Sequence, residues 1–460
     1  MLSKGGISMI TDTIAAIATS AAGAGAISII RVSGDEAISI INKLFKGKNL
    51  SKQNSHTIHY GHIKCPESQK IIDEVLVMLM RGPRSFTTEN VVEINCHGGP
   101  FVTKRILELI LTHGARHAHP GEFSKRAFLK GRIDLSEAEA IMDIIDAKSN
   151  HALELAVHSL DGKVTKLITD LREDILKIIA NIEVNIDYPE YDEVEEMTHT
   201  TLLPKSIGVR DTMAKLLQTA TNGQLLKNGI TTAIIGRPNV GKSSLLNQLM
   251  REEKAIVTDI AGTTRDTVEG FVNIGGLTLN LIDTAGIRKT NDVVESIGVE
   301  KAKKLMNEAE LILLVLNANE SLTTEDRELL ELTKEKHRIV LLNKSDLKQK
   351  IETDQIPNHV STSMIEASGL TQLENQIKSI FEINDIQSNE TFISNTRHIA
   401  QLNRSMTSLE SAIDQMKIGM PIDMVEIDLK NAWVFLGEIL GEDVSDALID
   451  ELFTKFCLGK

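Results

Sequence analysis

The sequence predicts an α/β domain inserted into an all-α helical domain, behind an N-terminal α+β domain. Changes of texture along the chain point to this arrangement. Residues 1–125 mix short β-like runs with Gly and Pro turns. From 126 to 227 apolar residues recur at helical spacing, and the same pattern returns over 386–460. Between them, residues 228–385 alternate short apolar strands with helices, the pattern of a parallel sheet covered by helices. The economical reading makes 126–227 and 386–460 two segments of one helical domain, with 228–385 inserted. Two separate helical domains are the alternative.

At 460 residues the chain has room for two to four domains at the usual ~100–200 residues each. Aromatic residues make up 3%, so Ile, Leu, Val and Ala must build the cores. Cys65, Cys96 and Cys457 are too few and too scattered for a disulfide framework, which fits a reducing, cytoplasmic setting. The net charge of −14 excludes a protein that grips nucleic acid with its whole surface. No apolar run reaches the ~18–20 residues that span a bilayer. The Ala-rich stretch Thr13–Ala26 lacks the compact Leu-rich run of a secretory signal. Met9 is an alternative start to Met1.

In order, Ala26–Val32, Glu74–Met80 and Asn90–Asn95 read as strands, and Phe101–Leu111 as a helix after Gly98-Gly99-Pro100. Ser136-Glu-Ala-Glu139 has the spacing of a capping box, in which the two side chains satisfy each other's orphan amides. Val164, Leu167, Ile168, Leu171, Ile175, Ile178 and Ile182 recur at three-to-four spacing and predict a helix with one buried stripe. The acidic run 187–196 reads as a solvated loop, with a metal site as the alternative. A further helix covers about 203–227.

The inserted domain carries the chemistry. The strand Thr231–Ile235 runs into Gly236-Arg-Pro-Asn-Val-Gly-Lys-Ser243, and a helix-like run follows. That is a P-loop in its required strand–loop–helix context. Its glycines let backbone amides turn inward around phosphate oxygens, and the helix N-terminus adds a favourable dipole. Asn239, Val240, Gly241, Lys242, Ser243 and Ser244 are the candidate loop contacts. Lys242 is expected to reach the β- and γ-phosphates, and Ser243 to ligate Mg²⁺.

About forty residues on, the strand Leu279–Asp283 ends in Asp283-Thr284-Ala285-Gly286. An Asp there can hold a magnesium-bound water, and the Gly286 amide can sense the γ-phosphate. Asn343-Lys344-Ser-Asp346 follows the apolar strand Ile339–Leu342. The Asp346 carboxylate, two-pronged on guanine's N–H donors, rejects adenine, because an unmatched buried polar group costs about 1–3 kcal/mol. Ser361 stands where a backbone amide would meet guanine O6. Three motifs in this order predict GTP as the ligand and its hydrolysis as the reaction. Thr258, Asp259, Ile260, Ala261, Gly262, Thr263 and Thr264 form a polar segment placed as a switch, with Thr264 the candidate to complete the Mg²⁺ shell. Ile287 follows Gly286, where many small GTPases carry a Gln that orients the attacking water. Another polar group and another positive charge are therefore needed. Glu295, Arg265, Arg288 and a bound cation are the candidates.

Four further segments give the chain a specific resemblance. They are Asp12-Thr-Ile-Ala-Ala-Ile-Ala-Thr19, Asn95-Cys-His-Gly-Gly-Pro100 with His119–Phe128, Gly262-Thr-Thr-Arg-Asp266, and Phe456-Cys-Leu-Gly-Lys460. With them the chain resembles, over essentially its whole length, the MnmE (TrmE) family of tRNA-modification GTPases. The resemblance implies an N-terminal folate-binding domain that dimerises and a helical domain in two segments around the G domain. It implies a flavin-dependent partner, MnmG, with FAD on that partner. The joint product is an aminomethyl or carboxymethylaminomethyl group at C5 of the tRNA wobble uridine, with a tetrahydrofolate derivative as one-carbon source. It implies K⁺-stimulated GTP hydrolysis, with Asn239, Thr258, Ile260 and Thr263 at the K⁺ site and Glu295 positioning water. It implies Arg31, Glu93, Arg132 and Lys460 at the folate site and a functional Cys457. Without it, those charges read as surface residues or ordinary ion pairs. The loop Ser20–Gly25 departs from the family in lacking its prolines and arginine. A ribosome-assembly-type switch and a regulatory GTPase scaffold are the alternatives; the former calls for a basic RNA-binding appendage, and none is evident.

Overall fold

The structure, a computed structural model, describes residues 12–19, 25–187, 198–252, 268–282, 305–352, 356, 358–366, 368–382 and 393–460. The chain folds as an N-terminal α+β domain, a helical domain and an α/β domain inserted within it. By packing it divides into two compact units, residues 1–142 with 437–460, and residues 143–436. The sequence reading had grouped 126–142 and 437–460 with the helical domain.

The first unit is built on a mixed sheet. Its strands are β1 (Ile14–Ile17), β2 (Ile27–Ser33), β3 (Phe45–Lys46), β4 (Thr57–Lys64), β5 (Ile71–Met80), β6 (Val91–His97) and β7 (Arg116–His117), in the spatial order β3-β4-β5-β6-β2-β1-β7. Alternation along β2, β5 and β6 puts Ile30, Val32, Val75, Val77, Leu79, Val92 and Ile94 on one face. Helices α1 (Ala37–Leu44) and α2 (Pro100–Thr112) cover that face with Ile41, Leu44, Ile106 and Ile110, all fully buried.

Helix α3 (Glu122–Leu129) is fixed by a buried ionic network. The guanidinium of Arg126, 1% exposed, bonds Glu89, Glu122 and Asp12, and Lys130 and Ser33 bond Glu89 as well. Helix α4 (Leu135–Asp146) begins earlier than the predicted Ser136 cap. The capping residue is Asp134: its carboxylate accepts from Glu137 N at 2.8 Å, and its amide donates to Glu137 Oε2 at 2.9 Å. Leu135 is drawn into the core with Ile449, Phe453 and Phe456, so the helix starts one residue before Ser136.

In the second unit, α5 (Asn150–Leu160), α6 (Lys163–Asp187) and α7 (Leu203–Asn228) lead to the α/β sheet. The α6 stripe is buried at every predicted position except half-buried Leu167. The sheet contains β8 (Ile230–Ile235), β9 (Val268–Ile274), β10 (Leu277–Ile282), β11 (Leu311–Asn317), β12 (Arg338–Asn343) and β13 (His359–Thr362), in the order β13-β12-β11-β8-β10-β9. Helices α8 (Lys242–Glu252), α9 (Thr324–Leu332) and α10 (Leu370–Ile380) connect and cover it. Ile230 and Ile234 face one core and Ala233 and Ile235 the other, as expected of a sheet buried on both sides. All pairs are parallel except β9–β10. That exception follows from Gly275 and Gly276, whose φ of 56° and 81° make the two-residue turn of a hairpin. Helices α11 (Thr396–Lys417) and α12 (Ile422–Leu440) close the helical part, and α13 (Asp446–Thr454) packs in the first unit. No described helix is long and apolar enough to cross a membrane.

Candidate functional site

The parallel strands β8, β11, β12 and β13 end on one edge of the sheet, where ligands of open α/β folds bind. The loop Gly236–Gly241 leaves β8 there. Its backbone is left-handed at Asn239 (φ 63°), and Gly236 (φ 156°) and Gly241 (φ 102°) also have positive φ. A Cβ on Gly236 would lie 2.4 Å from the Val315 carbonyl, and one on Gly241 would lie 2.1 Å from Asn343 Nδ2. Neither glycine can be replaced without moving a neighbour. Val240 is 1% exposed and anchors the loop in the core.

Lys242, at the start of α8, is buried. Its ammonium donates to the carbonyls of Gly236 at 2.9 Å and Arg237 at 2.8 Å, so the charge lies across the loop. Ser243 and Ser244 follow in the first turn of α8, whose orphan amides favour an anion.

Two strands away, the end of β12 grips the same loop. Asn343 Nδ2 donates to the Val240 carbonyl at 2.8 Å, and Lys344 Nζ donates to the Asn239 carbonyl at 3.1 Å. Lys344 adopts φ 65°, an uncommon backbone for a side chain of its size. Asp346 is oriented from β13's end, where Ser363 Oγ donates to its Oδ1 at 2.7 Å. Register places Ser361 beside Leu342 and Thr362 beside Asn343. The structure thus brings Asn239, Val240, Gly241 and Lys242 together with Asn343, Lys344 and Asp346, and sets Ser361 on the adjoining strand. Asn343 Oδ1 is buried without a hydrogen-bond partner. A nucleotide base is the kind of ligand that such an orphan acceptor and a poised carboxylate suit.

Sequence reasoning missed Arg237. It ties the loop to the segment that follows β11, with Nε on Asp326 and an NH2 on Glu320, both at 2.8 Å. Asp326 also closes the capping box at the start of α9 with Thr323. The loop is therefore held by side chains from two further segments, after β11 and after β12, that the motif does not contain. Thr258, Asp259, Ile260, Ala261, Gly262, Thr263, Thr264 and Arg265 lie outside the described residues. So do Asp283, Thr284, Ala285, Gly286, Ile287, Arg288 and Glu295, and most of the loop Ser20–Gly25 and of the run 187–196.

A second constellation lies in the first unit. Arg31 on β2 stands opposite Glu93 on β6, and the two are paired at 2.7 Å. The other arm of Arg31 donates to the Gly459 carbonyl at 2.9 Å, 428 positions away. Its guanidinium lies 5.7 Å from the centre of the Phe123 ring. The C-terminal tail is docked through backbone bonds: Phe123 N to the Lys460 carbonyl at 3.2 Å, and Gly121 N to the Cys457 carbonyl at 3.4 Å. Gly121 (φ 67°) must be glycine, since a Cβ would meet the Phe453 carbonyl at 2.3 Å. Arg132 donates to the Ser85 carbonyl at 2.9 Å and lies over Phe86, which packs with Phe123 in one apolar cluster. Arg31, paired with Glu93, and Arg132 thus each lie against one ring of this cluster, and Lys460 is joined to it through its backbone carbonyl. Cys457 is a free, exposed thiol on the docked tail.

Comparison with known proteins extends both observations. The family described as "MnmE helical domain" matches residues 135–457, and that described as "GTP-binding protein TrmE N-terminus" matches residues 13–132. The tRNA modification GTPase MnmE of Bacillus mycoides is 54% identical over 456 residues, 98% of this chain and 99% of its own. The protein of that name from Bacillus anthracis is 54% identical, and that from Bacillus cytotoxicus 53%, each with the same coverage.

Proposed function

This chain belongs to the MnmE (TrmE) family of tRNA modification GTPases, and we propose that its GTP hydrolysis is K⁺-stimulated and drives modification at C5 of the wobble uridine. It binds GTP and acts as a GTPase in tRNA modification. The observation that carries the finer reading is that the likeness runs from residue 13 to residue 457. A shared G domain alone would not include the N-terminal sheet or the tail.

In this reading Lys242 and the loop amides of Asn239–Ser244 hold the phosphates, and Asp346 with Ser361 selects guanine. The glycine cradle and the carboxylate oriented by Ser363 fit those tasks. Ser243 and Thr264 hold Mg²⁺, which neutralises charge on the phosphates. Asn239, with Thr258, Ile260 and Thr263, holds K⁺, which supplies the positive charge that an arginine supplies elsewhere. The oxygen-rich donor set of Asn239 and its neighbours suits a hard cation. Glu295 positions the attacking water, the task Ile287 cannot perform.

The second constellation takes the tetrahydrofolate derivative. Arginine and lysine suit its glutamate carboxylates and a carboxylate suits its pterin donors, and Arg31, paired with Glu93 at 2.7 Å, lies at the same end of the ligand as Glu93. When bound, the folate supplies the one-carbon unit. Cys457 takes part in the modification. The chain pairs with a second copy through its N-terminal domain, and a MnmG-like flavoprotein carries FAD and much of the tRNA grip. The net charge of −14 favours that division of labour.

The test is GTP turnover by the purified protein in KCl and in NaCl at matched ionic strength. A large rise in K⁺ alone is expected. Equal rates would move the missing charge onto an arginine or an external activator. Glu295→Ala should retain GTP binding and lose hydrolysis; equal turnover would remove Glu295 from the mechanism.

A further inference from the structure

The β9–β10 hairpin has one end at the nucleotide site and the other on the helical domain. By sequence, β9 begins directly after the segment 258–266, and β10 runs directly into Asp283-Thr-Ala-Gly286. The register slips between Leu281 and Ile282, at the nucleotide end. At the far end the Gly275–Gly276 turn meets the start of α5. Asn273 Nδ2 donates to the Lys148 carbonyl at 2.9 Å, just before the Ser149 cap of that helix. The Lys148 ammonium lies 5.4 Å from the centre of the Phe271 ring. The His151 ring covers Gly276 so closely that a Cβ there would be 2.5 Å from it. One turn on, Leu155 is buried in the same core as Ile274. A second tie joins β10 to α7, where Asn280 Nδ2 donates to the Asn228 carbonyl at 2.7 Å.

We propose that this hairpin transmits the state of the nucleotide site to the helical domain, with Asn273 and His151 as the positioning residues at its output. The inference rests on the GTPase reading and adds the route by which hydrolysis reaches the rest of the molecule. Two hydrogen-bonded strands are stiff along their length, and a bulge is where their register yields. A pull on either flanking segment therefore arrives at the tip. There it meets the cap of a helix, where the Ser149 hydroxyl accepts from the Ala152 amide at 3.1 Å. The signal is a change in the order of the α5 N-terminus. Such coupling is reciprocal, so ordering α5 also biases the nucleotide site.

The experiment is amide hydrogen exchange of residues 147–157 in the full chain, with GDP and with a non-hydrolysable GTP analogue. The proteins are wild type, Asn273→Asp and His151→Ala. Asn273→Asp keeps the oxygen that accepts from Thr278 Oγ1 at 3.0 Å and removes the donor to Lys148. In wild type the exchange rate of this segment should differ between the two states by about 5-fold or more. In both variants that difference should collapse, while GTP turnover stays within about twofold and tRNA modification falls by about 3- to 10-fold. Identical exchange in the two wild-type states would overturn the proposal, as would variants that keep the wild-type difference. Failure of the wild type to bind either nucleotide would overturn the reading beneath it as well, and direct nucleotide titration separates the two.

Discussion

The nucleotide loop and the Arg31 constellation are both gatherings of charge around a shaped surface, yet they are made in opposite ways. The loop is one run of chain. Its working parts are backbone amides, two glycines that no Cβ can replace and one lysine, all within Gly236–Ser243. The Arg31 site is assembled from β2, β6, α3 and a tail 428 positions away, which is held by buried Phe453 and Phe456 and by backbone bonds. A contiguous site depends first on its own backbone geometry, and other elements only brace it. An assembled site depends on the packing of every element that carries a piece of it.

That contrast can be broken by mutation. Lys242→Ala removes a charge buried in the loop, and GTP turnover should fall by at least ~100-fold; a loss below tenfold would place the phosphate charge elsewhere. Gly241→Ala forces a side chain into φ 102° and against Asn343. Strain of roughly 1–3 kcal/mol predicts a loss of nucleotide affinity of about 5- to 150-fold by calorimetry. Unchanged affinity would show that β12 and the loop are not coupled. Arg31→Ala should weaken binding of a reduced folate roughly 10- to 100-fold, the worth of a charged hydrogen bond, and leave GTP turnover untouched. A fall in turnover would mean that the two sites are not independent.

The last effect is one of stability and pH, and touches neither ligand site directly. Burial would raise the Glu122 carboxyl, but the bonds from Arg116, the His119 amide and Arg126 overcome it and hold it at about 2, from an ordinary 4.5. Its folded value lies below its unfolded one, so the unfolded chain binds more protons between them. The stabilisation is present above about pH 4.5 and is lost as pH falls through about 2. Glu122→Gln should cost roughly 2–3 kcal/mol near neutrality and flatten that acid slope. Chemical unfolding of both proteins between those pH values checks it; parallel curves would deny the network a role in holding α3.

The same contrast explains what the sequence revealed. The P-loop was legible because Gly236 and Gly241 leave no room for a Cβ and because strand, loop and helix are consecutive. Asn343 and Asp346 were legible by their order after it. Arg237, Asp326 and Glu320 were not, since nothing in an ion pair between separate elements is periodic. The Asp134 cap was missed because Ser136 offers the same chemistry two residues later, and burial of Leu135 decided between them. The antiparallel β9 was hidden by the general parallel pattern, although its Gly275-Gly276 turn was in plain view. Arg31 and Glu93 were singled out by resemblance alone, and the structure adds that they are paired and that Arg31 touches the tail.

The most direct test is nucleoside analysis of wobble uridine in tRNA from cells whose only copy of this protein is wild type, Lys242→Ala or Arg31→Ala, with GTP turnover measured on each purified protein. The account predicts that both variants lose the C5 modification, Lys242→Ala without turnover and Arg31→Ala with it. Full modification in the Lys242→Ala cells would contradict the claim that GTP hydrolysis by this chain drives the chemistry.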